Sequence, residues 1–320
     1  IGQLTSLESL FLQNNQLTSL PESIGQLKSL ESLFLQNNQL TSLPWTIRNI
    51  ISLIEIELDK NITIDDKPRQ EEMQMGGSDK ESKIMEEWKK NKFAYYKGTT
   101  VIKSEMEALT ELEELVGDIP LKLIIPWRKN GVRISDNHVV ELCLHDNGLS
   151  ALPESIGQFT ELRRLYVNVN LLTTLPESIG QLKKLTILNL EDNIIKTLPE
   201  TIGQLTELRE LDLENKQNTV LPESIGQLTE LKTLDLSFNS LYNLPESIGQ
   251  LTKLTDLYLK VNSLKVLPES IGQLTALESL EVNRNMLKTL PESIVNLTRL
   301  KTLDLTRNKF TTLTEAINNF

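Results

Sequence analysis

Residues 231–253 read LKTLDLSFNSLYNLPESIGQLTK, and this arrangement returns every 23 residues along most of the 320-residue chain. The shared pattern is L-x-x-L-x-L-x-x-N-x-L-x-x-L-P-x-x-I-G-x-L-x-x. Its apolar positions recur in register, which indicates a structural repeat that buries its apolar side chains against neighbouring repeats. The units begin at Leu7, Leu30, Leu53, Val139, Leu162, Leu185, Leu208, Leu231, Leu254, Leu277 and Leu300.

Each unit predicts a strand, a turn and a short helical segment, in that order. The alternating L-x-L is typical of a strand that places its side chains on opposite faces. The asparagine that follows suits a turn, and Pro-Glu-Ser suits the start of a short helical or 3-10 segment. Burying the apolar side chains of one unit contributes about 10–20 kcal/mol, whereas ordering its backbone costs about 1–2 kcal/mol per residue, so only stacked units are stable.

The pattern resembles that of the leucine-rich repeat family, specifically its 23-residue LPxxIGxL type. This type includes plant intracellular, Scribble-like and Ras-suppressor-like proteins and many bacterial and archaeal multi-repeat proteins. The resemblance implies an α/β fold, a curved solenoid with a parallel sheet on the concave side and short helical or 3-10 segments on the convex side. It also implies a function in protein binding, which is an expectation by analogy because fold alone does not determine function.

The repeats are interrupted between Leu53 and Val139, which lie 86 residues apart rather than a multiple of 23. We therefore predict a first array over residues 1–64, a linker with a short helix over 65–103, and an α/β cap of a helix and a hairpin over 104–138. A second array of eight repeats follows over 139–320. An alternative interpretation treats residues 112–134 as a degenerate repeat.

Local patterns within the interruption predict its secondary structure. Residues 68–82 have the polar, glycine-containing composition of a mobile linker, and residues 82–96 suit a short helix with one apolar side. A capping box, SEME, predicts a helix over residues 104–116. The pair Asn130-Gly131 is typical of a hairpin turn.

The composition bounds the partners and the compartment. The chain carries 44 acidic and 33 basic residues, so we expect neither nucleic acid nor an anionic membrane as a partner. A single cysteine excludes an internal disulfide and favours a reducing, cytoplasmic location. No apolar run approaches the length of a membrane span. Because the chain begins and ends within a repeat, we expect the natural termini to lie elsewhere.

Two groups of residues were weighed for chemistry. His138, Cys143 and His145 contain the soft ligands of a zinc site or an activated thiol, and Cys143 and His145 are expected on the same concave face. Asp212 and Asp235 occupy the same position of adjacent repeats, at roughly 5 Å across parallel strands, which is the separation that retaining glycosidases use. On an open sheet both groups fit binding better than catalysis, so we expect no enzyme activity, no metal and no cofactor.

The outward-facing positions of each strand are the third, fifth and seventh of the unit. In the second array they are rich in acids and include two tyrosines, which predicts a protein partner with a basic surface. In the first array Phe11 and Phe34 occupy the fifth position and make a more apolar strip. The candidate partner-binding residues are Arg164, Tyr166, Asn189, Glu210, Asp212, Glu214, Asp235, Asp256, Tyr258, Glu281 and Asp304.

The predicted function is that of a non-catalytic protein-interaction scaffold in intracellular signalling. The alternative is the recognition region of a larger signalling enzyme such as a Roco-type GTPase, a kinase or a ubiquitin ligase. A simpler interpretation of the acidic face is that it keeps the array soluble.

Overall fold

The computed structural model describes residues 6–50, 53, 55–57, 63–64, 93–96, 99–121, 130–214 and 220–310. The predicted linker over 68–82 lies outside these residues. The chain divides into two compact units. The first comprises residues 1–109, 119–126 and 131–141, and the second comprises 110–118, 127–130 and 142–320.

The first unit contains the short strands of the first array. Strands β1 (Ser9–Phe11), β2 (Ser32–Phe34) and β4 (Glu55–Glu57) form a parallel sheet in which each residue pairs with the residue 23 positions further on. Strands β3 (Ser42–Leu43) and β5 (Thr63–Ile64) form a second parallel pair. The spacing confirms the predicted repeat.

The second array continues the same geometry through seven strands, β10 to β16. Each is parallel to the next, again with a register of 23 residues. With β8 and β9 they form a sheet of nine strands in the order β16 to β8. The strands are β8 (Gly131–Ser135), β9 (His138–Cys143), β10 (Arg164–Tyr166), β11 (Ile187–Asn189), β12 (Glu210–Asp212), β13 (Thr233–Asp235), β14 (Asp256–Tyr258), β15 (Ser279–Glu281) and β16 (Thr302–Asp304).

A 3-10 helix follows proline in each full repeat, as the Pro-Glu-Ser pattern predicts. In the second array its glutamate also reaches the next repeat: the Glu154 carboxylate accepts the backbone N–H of Ser178 at 3.1 Å. That contact satisfies a donor at a helix start that has no partner within the helix. The 3-10 helices are Glu22–Gln26, Trp45–Asn49, Glu154–Gln158, Glu177–Gln181, Glu200–Gln204, Glu223–Gln227, Glu246–Gln250, Glu269–Gln273 and Glu292–Asn296.

The glycine that follows the isoleucine in seven of these nine 3-10 helices permits close stacking; Arg48 and Val295 take its place in the other two. A Cβ placed on Gly226 would lie 2.5 Å from the carbonyl oxygen of Ser247 in the next repeat, which is far inside van der Waals contact. On this side, neighbouring repeats therefore lie too close together to leave room for a side chain at the glycine. In the interior repeats the leucines of the pattern are fully or almost fully buried, as Leu234 and Leu257 are, whereas those of the first repeat, such as Leu10, are only partly buried.

The conserved spacing of the turn asparagine is explained by hydrogen bonds to two repeats. The Asn262 side chain donates to the carbonyls of Leu236 and Leu259 at 2.8 and 3.1 Å, and its oxygen accepts the N–H of Leu241 at 3.0 Å. Asn193 and Asn285 make the equivalent three bonds. Each amide thus satisfies buried backbone groups of its own repeat and of the repeat before it.

Three further elements belong to the interruption. Strands β6 (Phe93–Tyr96) and β7 (Thr99–Ile102) form an antiparallel pair, and helix α1 (Lys103–Val116) follows directly. The predicted helix over 104–116 is confirmed. The short helix predicted over 82–96 is wrong at its end, because the aromatic and β-branched residues of β6 and β7 favour strands; the rest of it lies outside the described residues.

The predicted hairpin at Asn130-Gly131 is also wrong, since Leu121 and Val132 on either side of it form a parallel bridge. The tight turn lies instead at Asp136 and Asn137, between β8 and β9, where φ is 51° and 68°. Aspartate and asparagine tolerate this left-handed conformation, which a two-residue hairpin turn requires. Asp136 and Asn137 therefore form the hairpin turn that was predicted at Asn130-Gly131.

Buried polar contacts hold the first unit together. The Glu105 carboxylate of α1 lies 2.8 Å from Nδ1 of His138 and accepts the N–H of Val139 at 2.7 Å. The Arg133 guanidinium of β8, only 2% exposed, lies 3.1 Å from the Glu141 carboxylate and donates to the carbonyl of Leu53 at 3.0 Å. The strand predicted to belong to a cap thus contacts the last described repeat of the first array, 80 residues earlier.

The asparagine contacts generate a prediction about stability. Asn262→Ala removes two donors and one acceptor and leaves buried backbone groups without partners, so it should lower the free energy of unfolding by about 2–5 kcal/mol. Urea denaturation followed by circular dichroism measures the change. Asn243→Ala, at an exposed site of the preceding repeat, is the matched control and should change it by less than about 0.5 kcal/mol. Equal effects of the two substitutions would contradict this role of Asn262.

Candidate functional site

The sheet of the second array presents its outward side chains in two parallel rows. The fifth positions of successive repeats are aligned by the strand register, so that Asn189 pairs with Asp212 and Asp212 with Asp235. The central leucine of each strand points the other way and is buried. The fifth-position row is Tyr166, Asn189, Asp212, Asp235, Tyr258, Glu281 and Asp304, and the third-position row is Arg164, Ile187, Glu210, Thr233, Asp256, Ser279 and Thr302.

Five of the eleven predicted site residues come together around one shallow cavity of about 200 Å³. These five are Tyr166, Asn189, Glu210, Asp212 and Asp235. The others lie elsewhere: Arg164, Asp256, Tyr258, Glu281 and Asp304 occupy the two rows beside the cavity, and Glu214 follows β12.

The cavity also has lining residues that the sequence reasoning did not select. These are Ile187 and Thr233, which occupy third positions, and the strand leucines Leu188 and Leu211. Because the third position of each unit faces outward, the repeat pattern by itself identifies Ile187 and Thr233 as outward-facing. Their side chains carry neither a charge nor an aromatic ring, so the sequence gives no chemical signal that would mark them as binding residues.

Asp212 is the electrostatic centre of the cavity. The pKa of its carboxyl is raised from 3.8 to about 7, mainly by burial. The Glu214 backbone N–H lowers this pKa, and the carboxylates of Asp235, Glu191 and Glu214 contribute to raising it. Oδ1 accepts that N–H at 3.0 Å, and Oδ2 accepts the side-chain amide of Asn189 at 3.1 Å. These neutral donors offset the burial of the carboxyl only in part, so the cavity favours an incoming positive charge.

The pKa values of two neighbouring groups are raised by the same burial and negative charge. Burial and the Asp235 carboxylate raise the pKa of Glu214, while Lys260 opposes the shift. Burial, followed by the carboxylates of Asp256, Glu281 and Asp235, raises the pKa of Tyr258. Negative charge is therefore concentrated on β12 to β14.

The three soft ligands of the sequence do not form a metal cluster within the described parts of the chain. Cys143 is fully buried rather than displayed on the concave surface, which corrects the expectation that it would share an open face with His145. His138 is engaged by the buried carboxylate of Glu105. Across the ranges that the structure describes, no helix combines the length and apolar character needed to cross a bilayer.

The first array presents a different surface. The rings of Phe11 and Phe34 stack at 4.9 Å between centroids with an interplanar angle of 1°. Their strand neighbours Ser9 and Ser32 are uncharged. The outward residues of β1 and β2 are thus uncharged, although the register continues the same rows to Glu55 and Glu57 of β4.

The pKa of Asp212 generates a prediction about pH. Because the folded protein holds this proton more tightly than the unfolded chain, the carboxyl stabilises the fold fully below about pH 4, and this stabilisation is lost as pH rises through about 7. At pH 8 Asp212→Asn should therefore raise the free energy of unfolding by about 1–4 kcal/mol, and the gain should vanish toward pH 4.

Urea titrations at several pH values measure this difference. Asp304→Asn is the matched control, because Asp304 occupies the same position in the last described repeat and has a single register neighbour, Glu281. A gain for Asp212→Asn that is constant with pH, or is matched by Asp304→Asn, would refute the assignment.

Three family models match the chain. They are described as leucine rich repeats (2 copies), leucine rich repeat, and leucine-rich repeat region, and they match residues 5–49, 160–217 and 200–285. Together they cover more than half of the chain. No curated protein sequence matches it.

Solved structures of several organisms share the fold. A leucine-rich repeat protein of Leptospira interrogans is 28% identical with a TM-score of 0.52, and the match covers 99% of this chain and 59% of that one. The ectodomain of the Arabidopsis thaliana receptor kinase GASSHO1/SCHENGEN3, solved with CASPARIAN STRIP INTEGRITY FACTOR 2, is 27% identical with a TM-score of 0.50, over 98% and 36%. A plant ice-binding protein, 24% identical with a TM-score of 0.54 over 67% and 73%, shows the fold alone.

The chain thus spans 59% of the Leptospira protein and 36% of the plant ectodomain. The repeat register, the 3-10 helices, the asparagine contacts and these matches agree, and the chain belongs to the leucine-rich repeat family.

Proposed function

We propose that this protein is a non-catalytic scaffold that binds a protein partner with a basic surface along the concave rows of β10 to β16. The observation that carries the proposal is the cavity at Asp212 and Asp235, where two register-paired carboxylates lie against a partly buried floor. A lysine or arginine side chain placed there would neutralise the repulsion between them and restore the hydrogen bonds that burial removes.

The composition of the rows supports a basic partner over a neutral one. Among the fourteen outward residues at third and fifth positions of β10 to β16, the acids are Glu210, Asp212, Asp235, Asp256, Glu281 and Asp304, and the base is Arg164. Tyr166 and Tyr258 flank the central acids and offer the rigid aromatic contact area that interfaces favour. Within this proposal the protein acts inside the cell, in signalling.

The comparisons are consistent with a protein partner. The plant receptor ectodomain is solved in complex with CASPARIAN STRIP INTEGRITY FACTOR 2. The nature of the partner here is argued from the charges of this chain alone.

A charge-reversal experiment tests the proposal. A fluorescein-labelled peptide of alternating lysine and leucine serves as the probe in anisotropy titrations. Asp212→Lys combined with Asp235→Lys should weaken its binding at least about tenfold, and raising the salt from about 50 to 300 mM should weaken binding to the unmodified protein.

The control is Glu200→Lys combined with Glu292→Lys, which makes the same change in net charge at exposed glutamates of two 3-10 helices. It should leave the affinity within about twofold. Affinity that is indifferent to salt and to the aspartate substitutions would sink the proposal.

A further inference from the structure

A second charged surface lies beside the acidic rows. The segments that follow β13 to β16 read SFNSLYN (237–243), KVNSLKV (260–266), NRNMLKT (283–289) and TRNKF (306–310). They contain no acidic residue, although the chain as a whole has a net charge of -11. We call this surface the basic flank; its basic residues are Lys260, Lys265, Arg284, Lys288, Arg307 and Lys309.

The charges of the basic flank face solvent. All except the half-buried Lys260 are exposed, and none of the six forms an ion pair with a residue that the structure describes. The repeat aligns them: Arg284 and Arg307 share the eighth position of consecutive units, and Lys265 and Lys288 share the twelfth. The flank therefore presents two short rows of positive charge that form no ion pair with the described residues.

Exposed apolar side chains lie among these charges. Tyr242 and Val266 are each 57% exposed, Met286 is 39% exposed and Phe238 is 36% exposed. The Lys260 ammonium lies 5.2 Å from the centre of the Phe238 ring. Aromatic residues, methionine and arginine are the residues enriched at protein interfaces.

The backbone gives an independent reason to examine Phe238 and Val261. Both have left-handed φ values, 55° and 56°, at the position where the first array has Asn14 and Asn37. A bulky or β-branched residue in this conformation costs about 1–2 kcal/mol, whereas asparagine tolerates it. Because Phe238 is also partly exposed, burial returns only part of that cost. The fold therefore does not explain the choice of residue.

The positive charge is confined to this end of the array. The equivalent segments of the three repeats that begin at Val139, Leu162 and Leu185 contain Asp146, Glu191 and Asp192 but only one base, Lys196. A general tendency of the repeat to carry bases after its strand does not account for the difference. The basic residues of the flank are a local feature of the last three repeats, which begin at Leu254, Leu277 and Leu300.

We infer that the basic flank binds an acidic segment of a partner protein, with carboxylates placed on Arg284, Lys288 and Arg307 and an apolar side chain packed on Phe238 and Tyr242. Arginine binds carboxylates through paired hydrogen bonds, and the exposed rings lie beside the charges. This site takes an acidic partner, whereas the concave rows take a basic one. The inference does not depend on the function proposed for the concave rows.

The net charge of the chain favours a short segment over an extended polyanion. A bilayer or a nucleic acid would also face the acidic rows and the glutamates of the 3-10 helices, and would be repelled by them. Screening limits these repulsions to about 8–10 Å at ordinary salt, so a peptide seated on the flank alone avoids most of them.

Anisotropy titrations with a labelled peptide of alternating glutamate and leucine test the inference. Arg284→Gln combined with Lys288→Gln should weaken its binding at least about fivefold. The matched control, Lys196→Gln combined with Lys232→Gln, removes the same charge from exposed lysines of β11 to β13 repeats and should leave the affinity within about twofold. Asp212→Lys combined with Asp235→Lys should not weaken it.

Phe238→Asn separates binding from folding. Asparagine suits the left-handed conformation, so this variant should keep or raise the melting temperature of the protein while it lowers the affinity for the glutamate-leucine peptide at least about threefold. A fall in melting temperature with unchanged affinity would mean that Phe238 serves the fold, and would overturn its place in the site.

Two other probes identify the wrong class of partner. Phosphatidylcholine vesicles with and without phosphatidylserine, and a single-stranded oligonucleotide, are titrated under the same conditions. The inference is overturned if either binds as tightly as the peptide and loses affinity in the Arg284 and Lys288 double variant. It is equally overturned if the peptide shows no saturable binding or if the control variant loses as much affinity.

Discussion

The solenoid depends on a side-chain amide that recurs at the ninth position of its repeats, except in the repeat that begins at Leu208, where this position is Lys216. Asn262 joins three backbone groups of two repeats, and its equivalents do the same along the array. A strand of three residues cannot satisfy its own turn, and the left-handed residue before each asparagine exposes carbonyls that need donors. The asparagine side chain supplies these donors at the turn that follows the strand. The parallel register and the outward rows both follow from this contact.

Charge is organised on this frame by position rather than by composition. The fifth positions collect acids and tyrosines, whereas the eighth and twelfth positions of the last repeats collect bases. Both sets are present in the last three repeats, the acids in the strands and the bases in the segments that follow them. One array can thus offer two surfaces of opposite charge, because each position in the repeat is multiplied into a row.

Much of the architecture was predictable because the repeat determines it locally. The strand, turn and 3-10 helix of each unit, the helix α1 and the outward position of Asp212 all follow from residues close in sequence. The buried contact of Arg133 with Leu53 was not, since 80 residues separate them and no short pattern signals a buried arginine. The turn at Asp136-Asn137 was missed because Asn130-Gly131 is the stronger local signal.

The site was predicted in outline but not in its details. The position rule places Asp212 and Asp235 side by side, yet the degree of burial that shifts Asp212 depends on how Asn189, Tyr166 and Thr233 enclose it. The basic flank was missed for a different reason. The net charge of the whole chain is negative, which masks the local excess of bases at the eighth and twelfth positions of the last repeats. These positions lie outside the outward-facing third, fifth and seventh positions of the strands.

The register of 23 residues has a consequence for how solvent ions respond to binding. Strands about 4.8 Å apart place the carboxylate of Asp212 beside that of Asp235, and that of Glu281 beside that of Asp304, and dissolved cations accumulate beside such paired negative charges. A basic partner would displace those cations into solution, and their release would contribute a favourable entropy that depends on ionic strength. Binding by the array would then depend on its negative charge and on the ionic strength more than on the fit to one particular shape.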